Sequence, residues 1–270
     1  DPVVGEDLPE VRPWYDSDGV CNSTVISERV ADAKTVIEDA RSILQSKLKT
    51  GSRTDAIYAT LGYLHSQDNV FQITSDNSAI FFSSDSGIRC GIYIDTMKPI
   101  SSRQVPKLTP LPYGQPPLDQ ASETRRGAIY TTLTSTDGFS NSHHRLAEMP
   151  TTLGVRHGTT FEGSEVTLDS IRKMSDFDVI YIRTHGTLDQ GVFNFMTGES
   201  PSGDLCPLAN ELRDQAIGLG TTVNSGSVYF TIYPKFFKDA SFKENSLAYF
   251  SSCYKLNTPS LTSIMHDQRL

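Results

Sequence analysis

A histidine and a cysteine follow two apolar runs of the sequence, and together these side chains could carry out nucleophilic catalysis. Residues 178–183 lead into Thr184, His185 and Gly186, and residues 246–252 lead into Cys253. A thiolate is the reactive form of cysteine, and a neighbouring imidazole can orient it and later protonate a leaving amine. The backbone N–H groups of Gly186 and Cys253 could hold the developing oxyanion. These are the parts of an acyl-transfer site.

The two apolar runs must be neighbouring strands for this site to assemble. Each is a near-continuous series of β-branched, aromatic and aliphatic residues, which is typical of strands buried on both faces of a parallel sheet. Parallel neighbours would bring His185 and Cys253 to the same carboxyl edge, where open α/β folds place their sites. We therefore expect these strands to lie side by side.

At these residues the sequence resembles the caspase-hemoglobinase cysteine peptidases of clan CD, a group that includes caspases, legumain, gingipains and clostripain. The resemblance rests on a strand that ends in His185-Gly186 and a later strand that ends in a small residue and Cys253. Three flanking segments resemble more narrowly a bacterial branch of that clan: residues 197–199, 233–237 and 245–247. The resemblance to the clan covers roughly residues 127–268. It implies a cysteine endopeptidase that cleaves a protein or peptide substrate with a His185–Cys253 dyad and needs no cofactor.

The position that would contact the substrate side chain before the cleaved bond departs from the family pattern. Two residues before the cysteine, relatives that cut after basic residues often carry Asp, legumain carries Glu and caspases carry Gln, whereas this chain has Ser251. A preference for Arg or Lys is therefore in doubt. A carboxylate elsewhere could replace the missing acid, because it would pair with a basic side chain. The alternatives are Asp189, Glu199 and Asp204, unless these are solvated loop acids.

The wider pattern predicts an α/β fold. From residue 128 strand and helix patterns alternate, which predicts a caspase-like, mostly parallel sheet with helices on both faces. We expect a loop or hairpin over residues 186–203 at the rim of the site, a helix over 207–217 and another over 258–267. The resemblance implies a further strand after residue 270, so we expect a C-terminal segment or a second chain to complete the sheet.

A smaller α+β module is predicted before this domain. Apolar residues at helical spacing over residues 23–48 predict one helix, and the Thr54-Asp55 pair predicts the N-cap of a second helix. Three strand-like runs follow, separated by turn-forming residues, and predict an antiparallel meander: residues 70–74, 79–82 and 88–95. The alternating pattern of the third run predicts one buried face and one partly wet face.

A proline-rich stretch divides the two parts. Residues 97–120 contain six prolines, which predicts a linker or surface strap and places a domain boundary there. We therefore expect an N-terminal module in residues 1–120 and a catalytic domain in residues 121–270. Arg125 and Arg126 follow the linker. They are either a solvated basic pair or a processing site that releases an N-terminal prosegment.

Composition excludes some classes of partner. The 270 residues are 21% charged, and the net charge of −8 is spread along the chain, so we expect no nucleic-acid partner. No run approaches the ~18–20 apolar residues of a membrane span, so we expect a soluble chain. Since the chain begins with Asp1, secretion or a periplasmic location after removal of a signal peptide stays open.

The remaining cysteines and histidines give little sign of chemistry. We expect Cys21, Cys90 and Cys206 to be free structural thiols, with a Cys21–Cys90 disulfide as the alternative. The adjacent pair His143-His144 is not expected to bind a metal, because neighbouring side chains diverge. A different class of function also remains. The serine at position 251 and the missing final strand are compatible with a catalytically silent binding or scaffolding protein that keeps the caspase fold.

Overall fold

The structure is a computed structural model that describes residues 14–15, 18–94, 125–133, 155, 157–243 and 246–251. In this part of the chain the fold is mixed α/β, with a seven-stranded mixed sheet and a four-stranded parallel sheet. Helices pack with both sheets around one large apolar core. The predicted α/β class is confirmed.

The helices and strands are numbered in chain order. The α-helices are α1 (Ser23–Thr50), α2 (Arg53–His65), α3 (Leu168–Arg172) and α4 (Ala209–Arg213). The strands are β1 (Val70–Ser75), β2 (Ala79–Ser84), β3 (Arg89–Tyr93), β4 (Arg126–Thr131), β5 (His157–Glu162), β6 (Val179–Arg183), β7 (Gly186–Asp189), β8 (Val192–Met196), β9 (Ile217–Thr222), β10 (Tyr229–Ile232) and β11 (Leu247–Ser251).

The first two helices form where apolar spacing and capping residues predict them. The Asn22 side chain accepts a hydrogen bond from the Val25 N–H at 3.2 Å and caps α1, whose buried stripe includes Ile37 and Leu44. The cap predicted for α2 at Thr54-Asp55 is wrong by two residues. Ser52 is the cap instead, because its Oγ accepts the Asp55 N–H at 3.1 Å.

The predicted antiparallel meander is present and continues into a larger sheet. Strands β1, β2 and β3 pair antiparallel, and β3 then pairs parallel with β9, with Cys90 opposite Leu219. The strand order is β1-β2-β3-β9-β10-β8-β7. Strands from both sides of the predicted linker therefore share one sheet. The linker itself lies outside the described residues, and the domain boundary stays a prediction.

The prediction that β3 has a partly wet face is wrong. All five of its residues are buried, because the strand lies between β2 and β9 and packs side chains on both faces. One face contributes Ile92 to the large core. The other face contributes Tyr93 to a smaller cluster, in which its ring meets that of Phe81 edge-on at 5.9 Å between centroids.

The seven-stranded sheet curls until its two ends meet. Strands β1 and β7 lie at opposite ends of the strand order. Nevertheless Thr74 Oγ1 of β1 lies 3.3 Å from Asp189 Oδ1 of β7, and Ser78 Oγ lies 2.9 Å from Thr187 Oγ1. Side chains thus close the sheet in the manner of a small barrel, whose interior must be filled by residues from alternate strand positions.

Glycines make room inside this curled sheet. A Cβ on Gly218 of β9 would lie 2.5 Å from the Arg89 carbonyl oxygen, and a Cβ on Gly220 would lie 2.5 Å from Thr231 Cγ2. Real Cβ atoms do not approach neighbours so closely. The Gly218-Leu219-Gly220 sequence therefore reflects close packing between strands.

The second sheet is entirely parallel, with the order β11-β6-β4-β5. Its strands β4, β6 and β11 lie in the segments where strands were predicted. The prediction that the last of these is buried on both faces is wrong: Leu247 is 51% exposed and Tyr249 is 55% exposed, because β11 is the outer strand of this sheet in the described part of the chain. The helix predicted over residues 207–217 is shorter: a single turn at Cys206–Leu208 and α4 are followed by a three-residue turn and then by β9. The helix predicted over 258–267 lies outside the described residues.

A disulfide bond joins Cys21 to Cys206. The predictions of free thiols at these positions and of an alternative Cys21–Cys90 bond are therefore wrong. The two cysteines are 185 residues apart in sequence, and only the tertiary fold brings them together. Cys90 is a buried free cysteine, and burial raises the pKa of its thiol to about 12.

Candidate active site

Strands β6 and β11 lie side by side in parallel, as the sequence predicts. Their register places Leu247 opposite Val179 and Ser251 opposite Arg183. His185 follows Arg183 by two residues, and Cys253 follows Ser251 by two residues. Cys253 lies outside the described residues, so its meeting with His185 stays a prediction.

Aromatic contacts hold β11 in place on both faces of the sheet. On one face, the Phe250 ring lies 6.0 Å from the rings of both Phe193 and Phe195 in β8. On the other face, Tyr249 stacks on Tyr181 of β6, with 5.4 Å between centroids and 9° between planes. These contacts fix the register of the strand that leads toward Cys253.

The chain passes from one sheet to the other at Thr184 and His185. The Thr184 hydroxyl accepts a hydrogen bond from Thr132 Oγ1 at 2.7 Å and donates one to the Met196 carbonyl oxygen. The carbonyl oxygen of the half-buried His185 accepts the Met196 N–H at 2.8 Å. The backbone at His185 is therefore linked through Thr184 to Thr132, the residue after β4, and is bonded directly to β8.

Gly186 begins β7 and lies opposite Phe195 of β8. Because the adjacent pair, His185 and Met196, is hydrogen-bonded, antiparallel alternation makes Gly186 and Phe195 a non-hydrogen-bonded pair. The Gly186 N–H therefore points away from β8. In the described part of the chain β7 is the last strand of its sheet, so this amide faces the sheet edge. Its oxyanion role stays a prediction.

Asp189 does not lie in a rim loop, which corrects one expectation about the site. It ends β7, is only 5% exposed and forms an ion pair with Arg89. Arg89 Nε donates to Asp189 Oδ2 at 2.6 Å, and Arg89 Nη2 donates to Oδ1 at 2.5 Å. This carboxylate is already engaged inside the protein.

The other two acidic candidates lie further along the chain. Glu199 is half-buried, and its Oε2 accepts the Leu168 N–H at 2.7 Å, at the start of α3. Asp204 is exposed, and its Oδ1 accepts the Cys206 N–H at 3.1 Å beside the disulfide. Ser251 is the last residue of β11. Of the three acids, Asp204 is therefore the one open to solvent.

Arg126, of the predicted processing pair, is the first residue of β4 and exposed. Its N–H donates to Asp178 Oδ2 at 2.7 Å, and its carbonyl oxygen accepts the Asp178 N–H at 2.8 Å. Its guanidinium lies over the Phe177 ring at 5.1 Å. Cleavage after Arg126 would disturb these contacts, and processing there stays a prediction.

Sequence reasoning missed Arg89 as a residue of interest. The sequence around Arg89 could have indicated its importance, because the segment Ile88-Arg89-Cys90-Gly91-Ile92 places a charge within an apolar strand. A charged group inside a central strand must find a partner, because an unpaired buried charge is very costly. The pattern indicates that a partner exists but not which one.

The described residues contain no cluster of three or more His, Cys, Asp or Glu side chains suited to a metal ion. The pair His143-His144 lies outside them. None of the helices in the described ranges is long and apolar enough to cross a membrane. Comparisons of the chain with protein-family models, with curated proteins and with solved structures found no match.

Proposed function

We propose that this chain is a cysteine endopeptidase with a caspase-like catalytic domain. The Cys253 thiolate attacks the carbonyl carbon of the scissile peptide bond, and a sulfur–carbon bond forms. His185 gives a proton to the amine as the carbon–nitrogen bond breaks. Water then hydrolyses the thioester and regenerates the thiol. The amides of Gly186 and Cys253 hold the oxyanion during both steps.

The observation that carries this proposal is the parallel register of β6 and β11. Arg183 and Ser251 are opposite each other, and each lies two residues before a member of the proposed dyad. Two parallel strands that end at paired residues lead their following segments out at the same edge of the sheet. The register therefore supports a meeting between an imidazole and a thiol, which neither residue type alone would suggest.

The state of the other cysteines also supports Cys253 as the nucleophile. The chain has four cysteines, and Cys21 and Cys206 are joined in a disulfide. Cys90 is fully buried, and its thiol has a raised pKa of about 12. A buried thiol that stays protonated is a poor nucleophile. Cys253 is left as the one cysteine suited to the role.

The acids after His185 bear on substrate preference. Asp189 is paired with Arg89, and Glu199 accepts a backbone N–H at the start of α3. Ser251 carries no charge. Among these candidates only the exposed Asp204 is left to pair with a basic substrate side chain, so we expect no strong preference for Arg or Lys before the cleaved bond.

The disulfide is compatible with an oxidising compartment, so we place the protein outside the cytosol, secreted or in a periplasm. Its substrate is a protein or peptide. In the described part of the chain β11 is the outer strand of the parallel sheet. A C-terminal segment or a second chain that adds a strand beside β11 would complete that sheet.

A fluorogenic peptide library tests the proposed function. We expect the wild-type protein to cleave a subset of peptides, and we expect Cys253→Ala and His185→Ala each to reduce cleavage by at least ~100-fold. Cys90→Ala is the matched control, since it removes a thiol far from the proposed chemistry. Cleavage that survives Cys253→Ala would contradict the proposal.

A catalytically silent binding protein is the competing function. The engagement of Asp189 and Glu199 in structural contacts favours it, because a specificity acid is then hard to identify. No cleavage of any library peptide, together with retained peptide binding by Cys253→Ala and wild type alike, would support this reading.

A further inference from the structure

A buried guanidinium in the N-terminal part of the chain is bonded to the strand that follows His185. Arg89 of β3 is only 4% exposed, and its guanidinium donates several hydrogen bonds inside the protein. Besides its two bonds to Asp189, its Nη1 donates to the Gln72 carbonyl oxygen at 2.8 Å and its Nη2 to Thr74 Oγ1 at 3.1 Å. One side chain thus joins β1, β3 and β7.

The carboxylate of Asp189 also accepts further hydrogen bonds. Asp189 Oδ2 also lies 3.3 Å from the Tyr233 hydroxyl, which donates to it, and Oδ1 accepts from Thr74 Oγ1 at 3.3 Å. Burial and this carboxylate together raise the pKa of Tyr233 well above its ordinary value, so the phenol remains a donor. A fork of two parallel N–H···O bonds fixes orientation as well as distance.

Strand β7 needs such anchors because it is short and lies at the end of its sheet. It has four residues and pairs through its backbone with β8 alone in the described part of the chain. Its other contacts across the closed sheet come from side chains. Thr187 meets Ser78, and Asp189 meets Arg89 and Thr74.

The anchored side chains share a face with His185. Alternate residues of a strand point to the same side, so His185, Thr187 and Asp189 line one face of β7 and its N-terminal extension. The His185–Met196 backbone bond continues the ladder through this position. A shift at Asp189 would therefore be transmitted over three or four residues to His185 and Gly186.

We propose that Arg89 is a positioning residue, which fixes His185 and Gly186 through its buried ion pair with Asp189 and strand β7. This inference rests on the proposed peptidase function. It makes the N-terminal module a permanent part of the active-site architecture. Removal of that module as a prosegment would take away the residue that holds the catalytic strand.

Arg89→Lys is the most informative variant. Lysine keeps the positive charge but cannot span both Asp189 oxygens and the Gln72 carbonyl oxygen, because it lacks the planar fork of donors. We expect kcat to fall about tenfold with KM nearly unchanged, since a small misplacement of a catalytic group slows the chemical step. We also expect faster hydrogen exchange at the β7 amides, with the β9–β10 amides unchanged.

Two control variants separate positioning from stability. Leu44→Ala opens a cavity in α1, where Leu44 is fully buried and belongs to the large core. It should destabilise the protein without changing kcat or β7 exchange at temperatures where the protein is folded. Arg172→Met removes an exposed guanidinium that pairs with Glu211 at 3.0 Å, and it should change neither quantity.

The two measurements keep the inference and the proposed function distinguishable. A wild-type protein that cleaves no peptide removes the proposed function, and hydrogen exchange at β7 then decides whether Arg89 holds that strand. Unchanged β7 exchange in Arg89→Lys would overturn the inference. An equal loss of kcat in Leu44→Ala and Arg89→Lys would also overturn it, because loss of stability alone would then explain the effect.

Discussion

Arg183 and Ser251 are opposite each other in the last registered pair of the parallel strands β6 and β11. This relationship connects the sequence to a candidate mechanism. His185 and Cys253 lie equally far beyond this pair, and a slip of one residue in register would end that equivalence. The aromatic contacts of Tyr249 and Phe250 on opposite faces of β11 oppose such a slip.

Cleavage in the proline-rich linker should leave the two fragments attached to each other. The Cys21–Cys206 disulfide joins them covalently, and β3 pairs with β9 across the same division. After limited trypsin digestion, we expect one band on a denaturing gel without reductant and two bands with reductant. Reduced, nicked protein should still elute as one species under native conditions.

Cys206→Ser is the control for this experiment. The nicked variant should separate into two bands even without reductant, yet it should remain together under native conditions because the shared sheet is intact. Native separation of the N-terminal fragment from the nicked variant would contradict the role that we assign to β3–β9 pairing.

A glycine inside the curled sheet should tolerate no side chain. Gly218→Ala places a Cβ 2.5 Å from a backbone oxygen of Arg89, and we expect a loss of about 1–3 kcal/mol in the free energy of unfolding. Gly62→Ala is the matched change in α2, where an added Cβ would meet no atom within 4 Å outside the local helix backbone, and it should stabilise by about 0.5–1 kcal/mol. Urea unfolding measures both, and equal effects would count against the close packing described.

The Asp178 carboxylate should contribute stability that acid removes. Its burial acts to raise its pKa, but the Arg126 N–H and Lys243 outweigh that effect, so the pKa is lowered in the folded protein. A group with a lowered folded pKa stabilises above its unfolded pKa, about 3.9 for Asp, and this contribution disappears as the pH falls through the folded pKa.

Asp178→Asn therefore should cost about 0.5–1.5 kcal/mol at pH 7 and less at a pH below the folded pKa of Asp178. Urea unfolding at both pH values gives the difference. Asp169→Asn is the control, since the Asp169 side chain is 82% exposed in its pair with Arg172 and should have little effect at either pH. An Asp178→Asn cost that is independent of pH would show that the charge is not responsible.

The strands that lead to the candidate site could be predicted from sequence because their signals are local. Uninterrupted β-branched and aromatic residues mark β6 and β11 as parallel strands, although β11 is half exposed, and the turn formers after β1 and β2 mark a meander. Helix α1 follows from its apolar spacing. Each of these signals lies within a few residues of the structure that it specifies.

The remaining features depend on contacts between distant residues. Cys21 and Cys206 are 185 residues apart, and cysteine spacing does not specify connectivity. Arg89 and Asp189 are 100 residues apart, so their ion pair appears only when the sheet curls. The parallel pairing of β3 with β9 has the same origin, and it explains why a strand predicted to be half wet is fully buried.

The most direct test of the central claim is to identify the cysteine labelled by a peptidyl acyloxymethyl ketone in the native protein. Mass spectrometry of wild type should place the label on Cys253. His185→Ala should slow this labelling by at least ~100-fold. Labelling of Cys253 at the same rate with and without His185, or labelling of another cysteine while Cys253 stays unmodified, would contradict the His185–Cys253 dyad.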